Sequence, residues 1–120
     1  MIGKVDALGR ALLDLQVSPD INQEPTCITA WVDTAFNGEL VVPRSIILAA
    51  GFKQSASCFA RLADGKQVIL ESYTCVLDWF DNKEAIEVIA NEGATPLLGI
   101  GLLDGHRLVV DYRRRGLELE

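Results

Sequence analysis

Turn-forming clusters cut this chain into short apolar runs, and that spacing leaves room for strands and brief helices but little else. Ser18-Pro19-Asp20, Asn37-Gly38, Asp64-Gly65 and Asp81-Asn82 each mark a reversal. GRALLDLQV alternates loosely and stops at the first of them. Cys27–Val32 is a short apolar run, and Glu39-Leu40-Val41-Val42 resumes after Asn37-Gly38. Cys58–Leu62 and Gln67–Phe80 flank Asp64-Gly65 and read as a β-hairpin with that dipeptide at its tip. Along the second arm Ile69, Tyr73, Cys75, Leu77 and Trp79 share one face by the period of two. Leu108, Val110 and Tyr112 alternate along a long strand near the end, and Leu117 and Leu119 along a final short one. The pattern predicts an all-β fold.

Two places depart from strand chemistry. Pro43–Gly51 predicts a short helix, with proline at its first position, glycine at its stop, and Ile46, Ile47 and Ala50 on the face that covers a sheet. Pro96–Gly105 predicts a buried strand running into one helical turn, with Asp104-Gly105 as a further turn. The segment KEAIEVIA suits either period, and its short length favours a strand.

The 120 residues suit one domain spanning 1–120, and 49% of them are hydrophobic, enough for a packed core. The formal net charge of −6, with acidic residues dispersed, argues against nucleic acid as a partner. Arg113-Arg114-Arg115 is the one basic cluster and reads as a solvated turn before Gly116. No apolar run approaches the ~20 residues of a bilayer span, and the N-terminal stretch lacks the apolar core of a signal peptide, so no membrane partner and a cytoplasmic location are expected. Cys27, Cys58 and Cys75 are widely spaced and read as small buried hydrophobes. With a single histidine, His106, read as a strand-end residue, no metal and no cofactor are expected.

Val32-Asp33-Thr34-Ala35 resembles the active-site signature of retropepsin-like aspartic proteases, a hydrophobic residue followed by Asp, Thr or Ser, and Gly or Ala. Leu97-Leu98-Gly99, followed by Leu102-Leu103, resembles the segment that backs the catalytic loop in that family, and the hairpin between the two motifs stands where the family carries its flap. The strings DTAFNGELVVP and LLGIGLLDG are especially like the small single-domain prokaryotic members, and the order of parts agrees from about Gly9 to the C-terminus.

The resemblance implies an acid-protease β-barrel with one or two short helices and an aspartic endopeptidase acting on peptides or unfolded proteins. Asp33 is its catalytic carboxylate, Thr34 locks the two active-site loops together, and Ala35 is the small neighbour of the substrate backbone. Ala63, Asp64, Gly65 and Lys66 form the flap tip, while Leu98 and Gly99 border the substrate. Because the chain holds one such motif and the chemistry needs two facing carboxylates, the resemblance also implies a homodimer, with terminal strands such as 116–120 pairing between chains.

From the residues alone Asp33 keeps a second reading, an Asx-turn whose carboxylate bonds a backbone N–H two residues on, with Asn37-Gly38 closing a hairpin. Ala35, where glycine is commoner in the family, leaves a catalytically inactive peptide- or protein-binding module as the alternative function.

Overall fold

The computed structural model describes residues 1–61 and 64–120, and of residues 58–61 only the backbone. Ten strands and two short helices form among them: β1 Ile2–Val5, β2 Ala11–Ser18, β3 Thr26–Val32, β4 Leu40–Pro43, α1 Arg44–Ala50, β5 Lys53–Arg61, β6 Gln67–Trp79, β7 Asn82–Asn91, β8 Leu97–Leu98, α2 Ile100–Leu103, β9 Leu108–Asp111 and β10 Gly116–Leu119. No helix among the described residues is long and apolar enough to cross a membrane.

The strands run β5-β6-β7-β4-β8-β3-β2-β1-β10-β9, and an additional pairing of β6 with β2, Val17 opposite Leu77 and Ser18 opposite Val76, closes six of them into a barrel. Closure removes the open edges of those six strands. The interior is filled by Leu13, Leu15, Val17, Leu40, Val42, Leu77, Val88 and Leu98, all nearly or completely buried. In β2 the alternation is plain: Leu13, Leu15 and Val17 point inward while Asp14 and Gln16 face out.

KEAIEVIA is strand throughout. It lies between β6 and β4, antiparallel to the first and parallel to the second, and burial of Ile86, Val88 and Ala90 on one face outweighs its helical pattern. Helix α1 starts one residue later than its proline suggests. Pro43 is still paired with Asn91 in the sheet and stands as the N-cap, and Gly51, at φ 76°, ends the helix with its N–H bonded to the Ile47 carbonyl. Ile47 is fully buried, while Ile46 and Ala50 pack more loosely beside it.

Several sequence expectations change. The β6–β7 turn is Phe80-Asp81 rather than Asp81-Asn82, because Trp79 pairs with Asn82. Both turn residues have positive φ, 48° and 65°, the geometry that matches strand twist in a two-residue hairpin. A phenylalanine there is unusual, and the His106 ring, stacked on it at 4.6 Å, holds it. His106 is thus a packing residue. Ile69 faces solvent, because that part of β6 belongs to the hairpin beyond the barrel. Strand β9 stops at Asp111, which leaves Tyr112 exposed in the turn with Arg113, Arg114 and Arg115. Cys27 is exposed. Cys75 is buried as expected, and burial pushes its thiol up to about 12, so it stays un-ionised and unreactive.

The C-terminal strand is also different in kind. β10 is paired on both sides, with β1 and with β9, and Leu117 and Leu119 are buried within their own chain. Their alternation reflects an internal strand and not an apolar edge awaiting a partner. Removing residues 116–120 therefore strips two core leucines, and the expected result is loss of the folded monomer.

Arg44, the first residue of α1, ties the hairpin stem to the barrel. Its guanidinium pairs with Glu71 of β6 and, at 2.8 Å, with Glu92, and the Tyr73 hydroxyl donates to Glu71 at 2.9 Å. The bonds from Arg44 and then Tyr73 hold the Glu71 carboxyl below its ordinary 4.5. A depressed carboxylate stabilises the fold fully above that ordinary value and loses the contribution as pH falls through the lowered one. Arg44→Gln should raise the Glu71 value in a carboxyl-carbon NMR titration. The stability gap between parent and variant should narrow on acidification. A Glu71 titration indifferent to the substitution would refute the pairing.

Candidate active site

The apolar run Ala30-Trp31-Val32 ends on Asp33 because β3 leaves the barrel there. The Asp33 N–H donates to the Leu98 carbonyl at 2.9 Å, and its carbonyl accepts from the Phe36 N–H at 3.2 Å, so the backbone turns at once. The carboxylate also accepts the Ala35 N–H at 3.0 Å. This is an Asx-turn, and it orients the carboxylate without consuming it, since Oδ2 has no partner among the described residues. Asp33 is half-buried, whereas Thr34 and Ala35 are exposed.

The hairpin alternative around Asn37-Gly38 does not form. Strands β3 and β4 are not paired with each other. Strand β8 lies between them, parallel to β3 with Val32 opposite Leu98 and antiparallel to β4 with Leu40 opposite Leu98. Three consecutive N–H groups then grip the 33–39 loop from behind: Gly99 to the Glu39 carbonyl at 2.9 Å, Ile100 to Phe36 at 2.8 Å and Gly101 to Gly38 at 3.0 Å. Sequence reasoning does not single out Phe36, Gly38 and Glu39 for this role. Only the turn dipeptide Asn37-Gly38 hints at it, because carbonyl acceptors carry no side-chain signature.

Leu98 and Gly99 are corrected by this packing. Leu98 is 0% exposed and Gly99 is buried, so neither is a wall of an open cleft. They are the floor on which the Asp33 turn rests. A Cβ on Gly99 would lie 2.2 Å from the Gly38 carbonyl oxygen, which is why a side chain is missing there.

The hairpin of β5 and β6 stands apart from this floor. Asp64, Gly65 and Lys66 sit exposed at its tip, with Gly65 at φ 87° and the Lys66 N–H bonded to the Asp64 carboxylate at 3.0 Å. Ala63, the remaining residue of the expected flap tip, lies outside the described residues. No motif marks Trp31, the exposed aromatic residue that precedes the site in β3. It lies on the outward face of β3, two residues before Asp33, is 41% exposed, and carries the Arg10 guanidinium 5.8 Å above its ring. Asp6 fixes that guanidinium at 2.7 Å, and Arg10 in turn holds the Asp6 carboxyl below its usual range.

No protein-family model and no curated protein sequence matches the chain. Solved structures do. The chain is similar to a retropepsin-like aspartic protease from Rickettsia conorii, with TM-score 0.68 and 15% identity over 99% of this chain and 88% of that one. The fold is the retropepsin-like one. Similarity extends to EIAV protease complexed with the inhibitor HBY-793, at TM-score 0.58 and 12% identity over 82% of this chain and 88% of that one. The retroviral protease-like domain of Ddi1 from Leishmania major follows at TM-score 0.50 and 14% identity, covering 91% of this chain and 88% of that one. At these identities the likeness concerns the retropepsin-like fold. The strand order, the closed barrel and the single helical turn after β8 are its local expression here.

Proposed function

We propose that this chain is an aspartic endopeptidase that works as a homodimer. The observation that carries the reading is the half-buried Asp33 carboxylate, oriented by Ala35 and held on the Leu98-Gly99 floor of a retropepsin-like fold. One such carboxylate is half of a water-activating pair. A second chain supplies the other, and two carboxylates about 3 Å apart share one proton because both cannot ionise together.

The ionised member takes a proton from the water as its oxygen attacks the scissile carbonyl carbon, and the protonated member donates to the carbonyl oxygen. Collapse of the tetrahedral intermediate breaks the C–N bond. The amide nitrogen leaves with a proton from the dyad, giving a carboxyl and an amine. In this reading Thr34, exposed beside Asp33, bonds across the two-fold axis, and Ala35 leaves room for the substrate backbone to approach. Trp31 and the Asp64–Lys66 tip would bound an extended peptide, one from the flank and one from above.

The test is cleavage of a denatured protein mixture from acid to neutral pH, with sedimentation of the same samples. Cleavage is expected, and specific activity should rise with enzyme concentration toward a plateau as monomers pair. A chain that sediments as a dimer yet cleaves nothing at any pH would instead support the inactive peptide-binding module.

A further inference from the structure

The strand order gathers basic residues on the rim of the sheet that carries Asp33. Strands β3, β2, β1, β10 and β9 are neighbours, each antiparallel to the next. The end of β3, the start of β2, the end of β1, the start of β10 and the end of β9 therefore share one side. Asp33 leaves β3 there, Arg10 leads into β2, and Arg113, Arg114 and Arg115 join β9 to β10. The Val5 N–H donates to the Arg115 carbonyl at 3.0 Å and the Arg115 guanidinium to the Asp6 carbonyl at 2.8 Å, so the two turns touch.

Charge along this rim runs against that of the chain. Residues 4–10 and 111–116 hold five cations and two carboxylates, and the remaining residues hold six cations against fifteen carboxylates. Both rim carboxylates are engaged. Asp6 pairs with Arg10 at 2.7 Å, and Asp111 accepts the Arg113 and Arg114 N–H groups at 2.9 and 3.0 Å. Arg113 and Arg114 are themselves exposed, and among the described residues neither guanidinium has an ion-pair partner.

We propose that this rim docks acidic stretches of polypeptide, with Arg113 and Arg114 as specificity-determining residues. This rests on the endopeptidase reading above and names its substrate class. Neighbouring strands lie about 4.8 Å apart, so three to four spacings put the 113–115 turn within about 15–20 Å of Asp33 along the rim. An extended peptide rises about 3.3 Å per residue and covers that span in about five or six residues. Aspartate or glutamate at that remove from the scissile bond meets two unpaired guanidiniums, whose planar forks match a carboxylate. The positive rim also steers an acidic chain toward the Asp33 side. A short acidic stretch touches the rim alone, whereas a long nucleic acid would lie against the acidic remainder of the molecule.

The test is binding of two labelled, unstructured peptides of equal length, one ending in four glutamates and one in four glutamines. The full-length Asp33→Asn chain is used, so that neither peptide is consumed. The acidic peptide should bind at least about tenfold more tightly at low salt, and the preference should shrink as salt is added. Arg113→Gln/Arg114→Gln should reduce the preference at least about fivefold, and Arg113→Lys/Arg114→Lys, which keeps the charge, should retain most of it. Circular dichroism of these chains should match the parent. Should the double glutamine variant fail to fold, either single substitution decides.

Equal affinity for the two peptides, no binding of either, or a preference that survives the glutamine substitutions overturns the proposal. So does a single-stranded oligonucleotide of the same length that binds more tightly than the acidic peptide, which would assign the rim to nucleic acid. A parent chain that cleaves, with no acidic preference, keeps the endopeptidase reading and loses the rim. An acidic preference that depends on Arg113 and Arg114, in a parent that cleaves nothing, keeps the rim and leaves the inactive peptide-binding module as the function.

Discussion

Asp33→Asn should abolish cleavage and leave the molecule otherwise intact. In a homodimer the substitution removes both carboxylates at once, so no group remains to take the water proton and none to protonate the scissile carbonyl. General acid–base assistance is worth about 10²–10⁴-fold for one group, so losing both should cost at least about 10⁴-fold in kcat/KM. The fold has no reason to follow. Asparagine keeps a side-chain oxygen for the Ala35 N–H, and the backbone bonds of residue 33 to Leu98 and Phe36 do not involve the carboxylate. The expected stability change is below about 1 kcal/mol. Cleavage rates and thermal melts of parent and variant decide it. A variant that cleaves at the parental rate rules out Asp33 as the catalytic group, and one that unfolds assigns Asp33 to structure.

Gly99→Ala is the second large effect, and its cause is steric alone. Gly99 has φ −102° and ψ 178°, a conformation any residue adopts. The added Cβ would lie 2.2 Å from the Gly38 oxygen, 2.4 Å from Phe36 Cδ2 and 2.8 Å from the Phe36 oxygen. Two of those atoms are backbone, in the same loop that the N–H groups of residues 99–101 grip, so relief of the clash pulls the grip apart. Overpacking costs about 1–3 kcal/mol and the strained hydrogen bonds add to it, so a loss of about 3 kcal/mol is expected. Activity should fall further than the folded fraction, because the loop that shifts carries Asp33. Gly105→Ala is the control: φ is 80° there but nothing lies within 4 Å of a Cβ, and the cost is about 1–2 kcal/mol of backbone strain with the site untouched. Denaturant melts rank the two. Gly99→Ala as stable as the parent would mean that β8 does not press on the loop.

The site is legible in the sequence wherever a motif carries its own chemistry. Val32-Asp33-Thr34 and Leu97-Leu98-Gly99 are recognisable strings, and the structure brings them into contact through the Asp33 to Leu98 backbone bond. The place of the second string is not legible. Leu98 and Gly99 are expected beside substrate and lie beneath the loop, because an apolar pair with glycine reads alike in a cleft wall and in a floor. Trp31 escapes notice for the opposite reason. Its place on the outward face of β3 follows from a period of two, but its exposure depends on which neighbours cover it.

By itself the sequence determined the elements: short strands between turns, a helix between Pro43 and Gly51, a strand into a helical turn at Leu97, and one Asp-Thr-Ala motif per chain. These follow from local backbone preferences and from periodicity, which act within a few residues. The tertiary structure alone decided which strands share an edge. That β8 separates β3 from β4, that β10 is enclosed by β1 and β9, and that β9 is left open are set by strand pairings between residues far apart in the chain. Backbone hydrogen bonds are chemically the same at every residue, so pairing partners leave no local mark, and only the packing of the two faces selects among them.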